Sequence, residues 1–183
     1  YPAELTAAAM KLSNAPIAVT DVPVMTMPRI RSIARRQKHR MGDLGLLVID
    51  YLGLVEGDGK GRVDDVTTMS RQIKLLAREL ACPVIILSQL NRSCESRPDK
   101  RPVLSDLRES GAIEQDADII MFVYRDEVYY PNSEQKGIGE ILIRKNRDGE
   151  IGSVFTAFQG DRSRFVPLAA SAFNQPLSKG EDW

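Results

Sequence analysis

Short apolar runs alternate along this chain with segments of helical period, and that alternation limits the fold more than any other feature. Leu46–Ile49 is a continuous apolar run ending on Asp50, Val84–Leu87 is a second, and Ile119–Tyr124, Glu140–Arg144 and Ser153–Phe158 follow. Ile17–Thr20, after Pro16, is a further short run of β type. Between them, residues 27–40 are amphipathic, and Val66, Met69, Ile73, Leu76, Ala77 and Leu80 fall at helical spacing over 64–80. Asp64 or Asp65 is placed to cap that helix, and Pro83 closes the turn after it. Strands apolar on both faces that alternate with helices imply a mainly parallel sheet covered on both sides. Asn146-Arg147-Asp148-Gly149 joins the last two runs, so the sheet is expected to end in an antiparallel hairpin. The fold class is α/β.

Composition narrows the function. A chain of 183 residues buries roughly 70% of its unfolded surface and needs no disulfide or metal to fold. Its 25 basic and 25 acidic side chains cancel, so contact with nucleic acid has to come from a local patch. Cys82 and Cys94 form no CxxC pair and His39 is the sole histidine. No Cys/His zinc site is available, and both cysteines read as reduced thiols of a cytoplasmic protein. The first residues lack the pattern of a signal peptide. The longest apolar stretch, Leu44 to Val55, is interrupted by Asp50 and too short to span a bilayer.

The chemistry-bearing residues sit at strand ends. In α/β sheets ligands bind at the carboxyl ends of the strands. An aspartate there, as at Asp50, can hold the Mg²⁺ of a nucleotide through water, or can equally begin a turn. Gln89 follows the Val84–Leu87 run. An amide there can sense a terminal phosphate or orient an attacking water, or simply face solvent in a turn. The pair, separated by one crossover helix, favours a nucleotide site.

The segments that follow carry a resemblance. Ser88-Gln89-Leu90-Asn91-Arg92, the basic loop to Lys100-Arg101-Pro102, and the stretch from Ser105-Asp106-Leu107-Arg108-Glu109-Ser110-Gly111 to Asp118 succeed one another as in DnaB-type replicative helicases. Ile49-Asp50-Tyr51-Leu52 and Tyr124-Arg125-Asp126-Glu127 also resemble that family, and the likeness runs from about Glu4 to Phe165. Gly53 departs from it, since the family commonly has a larger polar residue there. The resemblance implies a RecA-like P-loop NTPase fold. Residues 1–168 would form a partial ATPase domain, and 169–183 a loosely held tail. It also implies ATP and Mg²⁺ as cofactors, with Asp50 as the Walker B aspartate and Gln89 as the γ-phosphate sensor. Lys145 and Arg147 match the family's Lys-x-Arg pair, with Arg147 an arginine finger for the neighbouring subunit's ATP and Lys145 a second cation near the γ-phosphate. Residues i and i+2 of a strand share a side, so both cations are expected at one edge.

Arg92, Arg97, Lys100 and Arg101 make the segment after Gln89 a basic, mobile-looking loop suited to a phosphate backbone. It can equally be a solvated surface loop. Few aromatics interleave with these charges, so base stacking is not the expected mode. By resemblance, Arg108, Glu109 and Gly111 line a channel for single-stranded DNA. Arg108 would meet a phosphate, Glu109 would act through its backbone, and Gly111 would allow close approach of an amide.

No G-x-x-x-x-G-K-[ST] occurs, and Gly57-Asp58-Gly59-Lys60-Gly61 lacks the Ser/Thr that would bind Mg²⁺. The resemblance puts the phosphate loop and the general-base glutamate upstream of Tyr1. The expectation is therefore a truncated helicase motor. The intact protein would be a homohexamer that unwinds DNA and meets a primase and a loader, while the 183 residues alone turn over negligibly. A RecA-like recombination ATPase and a non-catalytic module that binds single-stranded DNA or joins a ring are the competing readings.

Overall fold

The computed structural model describes residues 2–168 apart from 23, 58–61 and 108–109. The tail 169–183, most of the Gly57–Gly61 string, and the DNA-site candidates Arg108 and Glu109 thus lie outside the described residues. The chain divides into two compact units, one of residues 1–89 with 111–116, the other of residues 90–110 with 117–183.

The first unit holds α1 (Pro2–Ser13), β1 (Met25–Thr26), α2 (Met27–Met41), β2 (Leu47–Ile49), β3 (Val55–Glu56), α3 (Arg62–Leu80) and β4 (Val84–Ile86). Pro28 sits in the first turn of α2, where its missing N–H costs nothing, and Gly42 ends the helix at φ 83°. One face of α2, through Met27, Ile30 and Ala34, meets Met69, Ile73, Leu76 and Leu80 of α3, with Ile49, Leu52, Val55 and Cys82 completing the core. Arg31 and Arg35 of α2 both pair with Glu79 of α3. Those guanidiniums, Arg35 first, hold the Glu79 carboxyl below its usual range. The α3 stripe is the one its spacing predicts, but the helix begins at Arg62, so Asp64 and Asp65 lie in its first turn rather than at its cap. There they face the positive end of the helix dipole.

β2 and β4 run parallel, Leu47 beside Val84 and Ile49 beside Ile86, with α3 as the crossover between them. β1 and β3 form a second, two-residue parallel pair. No strand forms over residues 17–20. Ile17 and Val19 are exposed and lie outside every strand pairing of the described residues. A β-type run without a hydrogen-bonded neighbour has nothing to satisfy its backbone as a strand.

The second unit is built on β5 (Ile119–Tyr124), β6 (Ile138–Asn146), β7 (Gly152–Gln159) and β8 (Arg164–Pro167), antiparallel in that order. The expected hairpin is β6–β7, and its sheet extends by one strand on each side. Ile120, Phe122, Tyr124 and Leu142 are buried on one face, whereas Ile119, Met121 and Val123 are more than half exposed on the other. Coverage of both faces therefore does not hold for β5 among the described residues. α5 (Asp126–Tyr129) is short, as is α4 (Ser110–Asp116), whose residues 111–116 belong to the first unit. Cys82 and Cys94 are buried free thiols, and no described helix is long and apolar enough to cross a membrane.

Leu76 is 2% exposed and Leu142 0%. Truncating either to alanine is expected to lower unfolding stability by about 2–5 kcal/mol through lost transfer energy and a residual cavity. Leu75→Ala, at a residue 54% exposed on α3, should change it by no more than roughly 0.5 kcal/mol. Urea denaturation of the three variants checks the ranking.

Candidate nucleotide and nucleic-acid sites

Asp50 leaves the carboxyl end of β2, and the pairing with β4 continues around it. The Leu87 amide donates to Ile49 O at 3.0 Å, and the Leu52 amide donates to Leu87 O at 3.0 Å. Asp50 is thus bracketed by two backbone bonds to the neighbouring strand, and Gln89 lies two residues beyond Leu87. Both are exposed. Parallel neighbours lie roughly 4.8 Å apart, so the two expected nucleotide residues come to adjacent strand ends of one unit. Asp50 joins Tyr51 through a cis peptide. Gly53 also has a local role here, because a Cβ at that position would come 2.5 Å from the Tyr51 ring. The larger residue usual in the resembling family would require that ring to move.

Lys145 and Arg147 belong to the second unit. Lys145 lies in β6 opposite Ile120. The register with β5 steps by one between Ile120 and Met121, which pair with Lys145 and Ile143, leaving Arg144 as the extra residue of a bulge. Directly paired residues share a face, so the bulge puts Lys145 on the same face as Leu142 and Glu140. Without it, alternation would put Arg144 there instead. Arg147 is one residue past the strand, so the i, i+2 rule does not aim it. Asp118 does: its carbonyl accepts from the Arg147 amide at 2.9 Å and its carboxylate pairs with the guanidinium at 3.2 Å. Both side chains are about half exposed, and such a pair contributes at most about 1 kcal/mol.

The basic segment is less mobile than its composition suggests. Arg97 donates to both carboxylate oxygens of Asp106, at 2.7 and 2.6 Å, and to Arg101 O at 2.9 Å. Asp106 is 2% exposed and also accepts from the Val103 amide at 2.9 Å. The hydrogen bonds from Arg97, with that backbone amide, hold its carboxyl below the usual range. Arg101 donates to buried Glu140 at 2.8 Å and lies over the Tyr124 ring. Lys100 donates to Glu95 O at 2.8 Å. Leu90 bridges to Leu107, closing the segment at its base. Arg97, Lys100 and Arg101 are therefore engaged within the unit, whereas Arg92 is exposed. Gly111 is the second residue of α4, with nothing within 4 Å of where its Cβ would be, so the chain's own packing does not demand glycine.

Asp106 and Glu140 are the residues that sequence reasoning missed as organisers. Both appear in it only as ordinary acids, and their arginine partners lie 9 and 39 residues away. A buried acid at an inward position of a strand, as at Glu140, is the one signal that could have raised the question, since such a charge requires a partner.

Comparison with known proteins gives the chain a family. The profile of the DnaB-like helicase C terminal domain matches residues 2–167. The chain belongs to that family. It is 51% identical over 168 residues to the replicative DNA helicase DnaB of Geobacillus stearothermophilus, covering 90% of this chain and 37% of that protein. It is 48% identical to the replicative DNA helicase DnaC of Bacillus subtilis (strain 168), with the same coverage. Among solved structures, an ATPase domain superposes with a TM-score of 0.86 at 44% identity, over 91% of this chain and 60% of that one. A DnaB-like replicative helicase, described with its interactions with primase, gives the same TM-score and identity over 41% of its chain. The chain thus spans about a third of the length of the curated relatives it matches. The fold is accordingly that of the DnaB-like ATPase domain, α/β with parallel pairing in one unit and an antiparallel sheet in the other.

The Arg97–Asp106 pair makes a prediction that depends on pH. Asp106→Asn strands the guanidinium and is expected to lower stability by roughly 1–3 kcal/mol at neutral pH. Because the folded carboxyl is held below its ordinary value, the contribution is complete above about pH 4 and is lost as pH falls through the folded value. Denaturation midpoints of wild type and variant should converge only in acid. A gap that stays constant down to about pH 2, below the ordinary carboxylate range, would contradict the pairing.

Proposed function

We propose that the parent protein is an ATP-dependent replicative DNA helicase of the cytoplasm. It would work as a homohexameric ring on single-stranded DNA and meet a primase and a loader. The observation that carries this is the placement of Asp50 and Gln89 at adjacent parallel strand ends, in a chain matching the helicase family from end to end of its described fold. That the curated relatives are named replicative helicases favours this reading over a recombination ATPase.

In this reading the residues divide the work. Among the described residues no group of three His, Cys, Asp or Glu side chains gathers as a metal cage. A nucleotide's Mg²⁺ needs only one or two carboxylates beside phosphates and water, and the single exposed Asp50 fits that demand. When bound, the ion neutralises charge developing on the phosphates. Asp50 would hold it through water and Gln89 would orient the attacking water. Arg147 would leave Asp118 for the γ-phosphate of the neighbouring subunit, an exchange made easy by the small worth of an exposed ion pair. Lys145 would add a second positive charge. On the DNA side, Arg108 would pair with phosphate, Glu109 would act through its backbone and Gly111 would admit an oxygen close to its amide, with exposed Arg92 adding attraction. The 183-residue chain itself should hydrolyse ATP negligibly, because its sequence contains no G-x-x-x-x-G-K-[ST] phosphate loop.

Two measurements test this in the full-length protein. Arg147→Ala should lower DNA-stimulated ATP hydrolysis by roughly 10³-fold with the ring and fold preserved, while Asp118→Asn changes it by less than about fivefold. Normal turnover in the arginine variant would sink the finger. Gly111→Ala should be as stable as wild type or slightly more so, since alanine favours a helix by about 1 kcal/mol, and should bind single-stranded DNA at least several-fold more weakly. Unaltered DNA affinity would remove Gly111 from the site.

A further inference from the structure

The segment from Leu90 to Leu107 is a closed body within the second unit. The bridge between its end residues, the Asn91 amide donating to Asp106 O at 2.8 Å, and the Arg97–Asp106 pair tie it to itself. It is linked to the strands and to Tyr130, the residue after α5. Arg101 meets Glu140 at 2.8 Å and stacks 5.0 Å over Tyr124, while Tyr130 Oη donates to Pro98 O at 2.6 Å and its ring lies under Lys100. Tyr129 stacks on Tyr124 with rings 5.6 Å apart and 9° from parallel, backing the platform that Arg101 covers.

Tyr124 and Glu140, on which Arg101 lands, are paired residues of β5 and β6. The same two strands carry at their other ends the pairing of Ile120 with Lys145 and the hold of Asp118 on Arg147. Glu140 and Lys145 are on one strand, roughly 17 Å apart at the usual strand rise, with no loop between them. A buried ion pair adds little stability over an apolar pair of the same shape, and its best-attested use is to fix one arrangement. Glu140 is 7% exposed at its side chain, so its carboxylate strongly prefers the one seat in which Arg101 is present.

We propose that Glu140 and Arg101 are positioning residues that transmit the placement of the Leu90–Leu107 segment along β6 to Lys145 and Arg147, making hydrolysis responsive to DNA. The inference rests on the reading of Lys145 and Arg147 as nucleotide-facing cations and of Arg108 and Gly111, which follow this segment in the sequence, as DNA contacts. It assigns Arg101 to coupling rather than to phosphate contact.

The experiment uses the full-length protein, with ATP hydrolysis measured without DNA and at saturating oligothymidylate, and DNA affinity measured separately. Glu140→Gln should keep the DNA-free rate within about twofold and the DNA affinity within about threefold, yet reduce maximal stimulation by roughly fivefold or more, within the range of measured coupling effects. Arg101→Gln should lose stimulation to the same degree. The double variant should be no worse than either single one, as two partners of one interaction require. Arg101→Lys should restore part of the stimulation. Full stimulation in Glu140→Gln overturns the proposal. So does an equal loss of DNA-free and stimulated rates with a lowered melting temperature, which would mark a merely structural pair. Independent losses that add in the double variant overturn it as well. Failure of the underlying reading is seen separately, as unaltered hydrolysis in Arg147→Ala, and it takes the proposal with it.

Discussion

Two carboxylates nearly sealed from water, Asp106 and Glu140, determine how the second unit is arranged. An ionised acid in such a place is tolerated only when a cation and further donors surround it. Each has taken an arginine from the basic segment: Arg97 for Asp106, and Arg101 for Glu140. The consequence runs outward from there. The segment folds around Asp106, seats itself on the sheet through Glu140, and presents the chain at Leu107 to the residues that follow. Arg97 and Arg101 of this basic stretch thus serve as scaffold within the unit. The net charge of the stretch still contributes to the field a polyanion would meet.

The parts of this arrangement that depend on period were legible in advance. The stripe from Val66 to Leu80 predicted α3 because tertiary packing needs that spacing, and the short runs rich in apolar and β-branched residues predicted β2, β4, β5, β6 and β7. Ile17–Thr20 failed for the complementary reason: a β-type run specifies only a willingness to pair, and the pairings of the described residues leave it out. Ion pairs were opaque. Arg97 and Arg101 look alike as letters beside Arg92, and only the fold reveals that two of them meet a buried acid. The aim of Arg147 was likewise invisible, because it hangs on Asp118 across a strand pair.

The residues proposed to meet nucleotide fall into two sets. Asp50 and Gln89 belong to parallel strand ends of one unit, Lys145 and Arg147 to the antiparallel sheet of the other. Parallel strands joined by a crossover bring backbone ends and small polar side chains to a common edge, which suits holding a ligand. A hairpin instead holds long cations at the end of a stiff arm, which suits reaching for something bound elsewhere. The two architectures thus match the two proposed tasks, and in the DnaB-like family they are parts of one chain.

The bulge at Arg144 has an effect that depends on counting rather than on chemistry. In an even ladder, every inward position is set by its parity from the last. One surplus residue breaks that arithmetic, so Glu140 and Leu142 keep their inward seats while the residue an odd number of steps onward, Lys145, shares them. The cation's facing is therefore encoded in the length of the strand as much as in its letters. Over evolutionary time, insertions and deletions here would exchange which charge looks inward, whereas interchange of lysine and arginine would leave that geometry untouched.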